Sequence, residues 1–233
     1  MNLERLAVSR VSQRRTVRLI ANANHKPPVL EKLASSYGAR AHLEALESVT
    51  NARQIVQQKG IPGLAPEALA SGYGFTYINA ALAYTRPGGN RFNPPAWGVW
   101  YCAFDCETSL QEAAFHMTRA LQAAGGDFDN ETRCIELLAD FEADFVDLRN
   151  QNPTPDCLHP DTSIGYPAGQ ELADEIRKSG HNGLVYPSVR HANGVCLAAF
   201  WPGLIQNFQQ GESWILKWAG SPTPTIMRAA NAA

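Results

Sequence analysis

Four short segments carry residues whose types and settings suit ligand binding or acid–base chemistry. The first is Gly89-Asn90-Arg91-Phe92-Asn93, an arginine in a Gly/Pro-rich loop. Its planar fork matches phosphate oxygens, although a surface arginine beside a turn looks the same. The second is Tyr101 in Val99-Trp100-Tyr101-Cys102. On a strand Trp100 and Tyr101 point to opposite faces. Tyr101 is therefore either core or a flat face on which a ring can stack. The third is Glu112 with His116, one turn apart on one face of a helix whose intervening residues, Ala113, Ala114 and Phe115, are apolar. The pair reads as a surface Glu–His contact or as the wall of a pocket. The fourth is Ser188 in Tyr186-Pro187-Ser188-Val189-Arg190, at a strand end. It either starts a turn or orients a hydroxyl or carboxylate.

Competing chemistries find little support. No GxGxxG follows a strand, and there is no Walker loop or HExxH. The six histidines lack metal-ligand spacing. Nothing lowers the pKa of Cys102, the one thiol that could pair with His116 as a nucleophile. The five cysteines, Cys102, Cys106, Cys134, Cys157 and Cys196, fit no disulfide or zinc framework and read as thiols in a reducing compartment.

The elements that must hold these residues alternate irregularly. Residues 1–70 read as mainly helical, with amphipathic spacing over 31–60 and a stop at Gly60, Pro62 and Gly63. Residues 73–85 fit a strand or a short helix. Residues 86–98 form a loop, and 99–104 a buried strand. Asp105–Thr108 offer caps for a helix through residues 110–124, ended by Gly125 and Gly126. One or two strands are expected in 134–149 and a long polar loop over 151–167. A short helix at 169–180 and strands near 182–189 and 194–201 should follow, then a final edge strand at 213–220. Neighbouring strands with helices at irregular intervals indicate an α+β fold. The domain reading is a helical region over 1–70, a main domain over 71–220 and a loose tail over 221–233.

Composition is that of an ordinary globular protein, 45% apolar and 18% charged, with a net charge of −2. That balance argues against a nucleic-acid binder. Arg5, Arg10, Arg14, Arg15 and Arg18 nevertheless cluster near the start, as a solvated helix or arm or as a surface for phosphate or an acidic partner. No apolar run nears the roughly 18 residues needed to span a bilayer. The opening residues lack a signal-peptide core, so a cytoplasmic protein is expected.

In order and at their spacings, GNRFN, GVWYCAFDCETSLQEAAFH, NGLVYPSVR and NGVCLAAFW resemble the RES domain, over about residues 8–218. Val8-Ser9-Arg10 and Thr50-Asn51-Ala52-Arg53 resemble a longer subgroup of that family. Val11 departs from its pattern, since an aromatic often follows the arginine, and Arg14, Arg15 or Arg18 could replace Arg10. The resemblance implies an ADP-ribosyltransferase-like split β-sandwich with an NAD cleft. It implies a toxin that degrades NAD by hydrolysis or phosphorolysis, with NAD as substrate and no added cofactor or metal. It also implies a cognate Xre-type helix-turn-helix antitoxin, in a homodimer or a toxin–antitoxin hetero-oligomer. Glu112, Arg91, Tyr101 and Ser188 are then the expected catalytic residues. Arg10, Arg91, Tyr101, Ser188, Asn93 and His116 are the expected substrate contacts. Two other readings stay open, a mono-ADP-ribosyltransferase acting on a host protein and a non-catalytic binding module.

Overall fold

The structure, a computed structural model, describes residues 6–21, 64–65, 69–71, 73–83 and 85–230. The helix expected over 31–60 and the Thr50–Arg53 motif lie outside them. The α+β class is borne out. Among the described residues, seven strands, β1 Ala7–Ala21, β2 Trp100–Ala103, β3 Asp129–Asp147, β4 Gly183–Pro187, β5 Val195–Ala199, β6 Gln206–Ala219 and β7 Thr225–Arg228, accompany three α-helices, α1 Phe75–Ala83, α2 Cys106–Ala123 and α3 Thr162–Lys178.

Pairing follows the order β1-β2-β5-β4-β3-β6-β7, and β1 also pairs with β3. Five strands therefore close a ring, from β1 through β2, β5, β4 and β3 back to β1. One edge of β3 meets β1 from Cys134 to Asp147. Its other edge meets β6 between Asp129 and Asp140, then β4 in parallel at Val146 and Asp147. Expected as one or two pieces, β3 is a single continuous strand whose register shifts allow it to serve both partners.

The N-terminal expectation is corrected. Ala7–Ala21 is a strand, not a helix or a solvated arm. Arg10, Arg14 and Arg15 are exposed while Val11, Thr16 and Val17 are buried. That near-alternation is the strand period, interrupted where the register shifts between Gln13 and Thr16. Arg15 sits there at φ 53, and its N–H donates to Asp140 Oδ1. Pairing along both edges outweighs the helical look of a charged segment.

Two further corrections concern the chain after residue 150. α3 begins at Thr162, inside the expected loop, with the Asp161 carboxylate capping the Ser163 N–H. Gly165, Pro167 and Gly169 disguise it as a turn. The C-terminal segment is not wholly loose, because β7 pairs antiparallel with β6 and takes the edge expected of residues 213–220.

Each helix covers its own part of the core. α1 seals Trp100, Phe141, Phe145 and Leu197. α2 lays Leu110 and Ala114 on Cys134, Leu216 and Trp218. α3 lays Leu172 and Ile176 on Phe92, Leu184 and Phe200. Full burial of one such large side chain contributes about 1.5–3 kcal/mol. The cavity described next opens among these layers.

Candidate active site

Strand ends, three helices and two loops converge on one cavity of about 520 Å³. β1 contributes Arg18, β2 contributes Tyr101 and Cys102, and β5 contributes Cys196. α2 contributes Ser109, Glu112 and His116, and α3 contributes Tyr166. Arg86 and Arg91 come from the loop before β2, and Arg190 from the β4–β5 turn. Among the described residues, the charged wall is thus four guanidinium groups and one carboxylate, Glu112.

α2 starts at Cys106, with Asp105 as its cap, so Glu112 lies in the second turn rather than the first. Glu112 and His116 both face the cavity, as their four-residue spacing requires. Ser188 does not line the wall but stands behind Glu112, where its hydroxyl donates to Oε1 at 2.6 Å. The serine oxygen in turn accepts the amides of Arg190 at 3.1 Å and His191 at 3.0 Å. These bonds commit its one proton to the carboxylate and leave little for a substrate.

Arg91 is 8% exposed. Its Nη1 donates to the carbonyls of Cys157 at 2.7 Å and His159 at 3.0 Å, which fixes the guanidinium at the cavity edge. α3 can approach because Gly165 and Gly169 face Arg91. A β-carbon at Gly169 would stand 2.2 Å from the Arg91 carbonyl oxygen. The Tyr101 hydroxyl accepts the Phe92 amide at 2.8 Å and donates to Asn93 Oδ1 at 2.9 Å. The ring of Tyr101 faces the cavity while its tip holds the arginine loop. Asn93 is fully buried, and its amide donates to the carbonyls of Pro94 and Trp97. The expectation of Asn93 as a substrate contact is therefore corrected: it clamps the loop.

Arg10 is also corrected. It lies on the exposed part of β1, paired with Glu142 at 3.0 Å and Asp144 at 3.6 Å, and is not in the cavity wall. Among the N-terminal arginines considered, Arg18 takes that position. Its Nη1 donates to the Tyr101 carbonyl at 3.1 Å, its guanidinium lies 5.1 Å from the Trp100 ring centre, and its Nε is buried without a partner among the described residues. Tyr166 and Arg86 also belong to the wall although sequence reasoning passed over them. The signal for Arg18 was a single-residue alternation in β1, readable only after the segment is known to be a strand.

Burial sets most of the protonation states. It pushes His116 down to about 3, helped by Arg86, Arg190, Arg119 and Arg91, so the imidazole is neutral near pH 7. Burial raises the Tyr101 and Tyr186 hydroxyls. It pushes the Cys102 thiol up to about 12 and raises Cys196, which leaves no thiolate beside His116. Arg18 falls to about 10, again chiefly by burial, and remains a cation. The geometry accordingly offers anion binding, one positioned carboxylate and a neutral imidazole.

No helix among the described residues is long and apolar enough to cross a membrane. A search of curated proteins finds no match to this chain. Among solved structures, the chain is similar to one in a crystal structure of the M. tuberculosis MbcT–MbcA toxin–antitoxin complex. The identity is 13% and the TM-score 0.44, over 93% of this chain and 91% of that one. The RES domain matches residues 69–219, well over half of the 233 residues, and the protein belongs to the RES domain family.

Proposed function

We propose that this protein is the toxin of a toxin–antitoxin pair and that it consumes NAD by cleaving the nicotinamide–ribose bond. The observation that carries the reading is the cavity wall, one carboxylate backed by a serine among four guanidinium groups. A dinucleotide presents the complementary pattern, two phosphates and a ribose whose base is a cationic leaving group.

Nicotinamide leaves neutral, because the pair of electrons in the breaking C–N bond returns to the ring nitrogen. No general acid is needed. Positive charge passes to the ribose, in an oxocarbenium-like transition state. Glu112 stabilises that charge, and Ser188 fixes the carboxylate that does so. Arg18, Arg86, Arg91 and Arg190 take the pyrophosphate. His116, being neutral, adds no repulsion to the cationic ring, and the Tyr101 ring bounds the ribose end. An oxygen of water or inorganic phosphate then forms the new bond to the ribose carbon; an attacking water gives its proton to Glu112 or solvent, whereas an attacking phosphate anion needs to lose none. Family membership supports the toxin role, and with it an Xre-type antitoxin as the partner.

Expression of the chain in cells, with NAD followed over time, tests the reading. NAD should fall before growth stops, and an antitoxin encoded beside the gene should prevent both. Growth arrest at constant NAD overturns it. A protein labelled from tagged NAD points instead to ADP-ribose transfer.

A further inference from the structure

We propose that His191 is a positioning residue for Glu112, acting through Thr108 and the turn that carries Ser188. The inference rests on the NAD-cleaving reading of the same cavity, and it concerns a histidine outside the cavity wall.

The hydrogen bonds around Thr108 fix the direction of donation. The Thr108 amide donates to Asp105 Oδ1 at 2.8 Å, and its hydroxyl lies 2.7 Å from Asp105 Oδ2. A carboxylate only accepts, so the single hydroxyl proton of Thr108 points to Asp105. The same oxygen lies 2.9 Å from His191 Nδ1 and must accept there. His191 therefore carries its proton on Nδ1, whether the ring is neutral or charged.

That bond ties the β4–β5 turn to α2 at a second point. Ser188 holds Glu112, and His191, three residues on, holds Thr108, one helical turn before Glu112. The backbone N–H of His191 also donates to the Ser188 oxygen. Two rungs thus join turn and helix, and the backbone of His191 sits in one while its side chain makes the other. The approach is close. A β-carbon at Gly194 would stand 2.5 Å from Thr108 Oγ1. Thr108 is fully buried, so the rung is shielded from water. A carboxylate held by one rung alone can swing by an ångström, and misplacement on that scale costs about 10²-fold in rate.

The test uses the full chain. His191→Ala should lower kcat by about 10–100-fold, the usual cost of losing an outer supporting bond, while KM changes little. His191→Asn places an amide N–H near the position of Nδ1 and should recover most of the loss. Thr108→Val should copy His191→Ala, and Thr108→Ser should not, which gives a second route if one variant folds poorly. In a Ser188→Ala background, His191→Ala should add almost nothing. A wild-type kcat in His191→Ala, or a loss that His191→Asn leaves unrepaired, overturns the assignment. A wild-type chain that leaves NAD intact defeats the functional reading instead. In that case the NMR carboxyl resonance of Glu112 still decides the positioning claim. It should move in His191→Ala, and an unmoved resonance, or a His191 ring with no proton on Nδ1, overturns it.

Discussion

Arg10 and Arg18 lie on the same strand and have met opposite fates. Arg10 stands on an exposed stretch of β1, its charge answered by Glu142 and Asp144. Arg18 is drawn into the cavity, and its Nε is buried without a partner among the described residues. Desolvation lowers its pKa to about 10. An arginine already neutralised by two carboxylates has little left to offer a phosphate. One held in a partly dry site with donors unused is prepared for an anion. Position along a strand, rather than membership of a motif, decides which of the two arginines meets the cavity.

Arg18→Ala should cause the larger loss in this pair, about 10²–10³-fold in kcat/KM for NAD, as expected for removal of one preorganised charge. Circular dichroism should show the fold kept. Near-normal kcat/KM in Arg18→Ala would erase the contrast with Arg10. The next contrast is the close approach of α3 to the Arg91 loop. Gly169→Ala forces a methyl against the Arg91 carbonyl and should destabilise by about 1–3 kcal/mol, seen as a lower midpoint in urea. An unchanged midpoint would mean that α3 does not press on this loop.

His116 gives a smaller and conditional effect. Its folded value, about 3, lies below the unfolded value of about 6.5, so the unfolded chain takes up the proton first. The stability tied to the neutral imidazole is complete above about pH 6.5 and is lost as pH falls toward about 3, on the order of 2–3 kcal/mol by pH 4. His116→Asn should flatten that part of the stability curve relative to wild type. Equal acid sensitivity in the two proteins would place the imidazole in water. Arg10→Ala should do least, with kcat/KM within about twofold of wild type, since exposed ion pairs contribute little. A loss comparable to that of Arg18→Ala would return Arg10 to the site.

Much of the cavity could be read from residues close in sequence. Trp100 and Tyr101 alternate across β2 as a strand requires, and the Trp100 ring goes to the core while that of Tyr101 meets the cavity. The spacing of Glu112 and His116 puts both on one face of α2. Arg91 stood out because its loop is dense in Gly and Pro. Other parts depended on distant partners. β1 looked helical because its charges are frequent, and only pairing to β2 and β3 reveals its period. Tyr166 was hidden by Pro167 and by glycines whose purpose is to let α3 touch Arg91. Asn93 and Ser188 could be flagged as polar and well placed, but their bonds to Tyr101 and Glu112 cross between elements that no local pattern relates. Thr225–Arg228 reads as tail because a short edge strand is defined by its neighbour β6.

The most direct test of the central claim is nicotinamide release from NAD by the purified chain, followed by proton NMR beside the Glu112→Gln variant, with and without inorganic phosphate. The account predicts steady release by the wild type and a drop of about 10²–10³-fold in a variant that folds normally. Equal rates in the two proteins, or intact NAD in both, would contradict it.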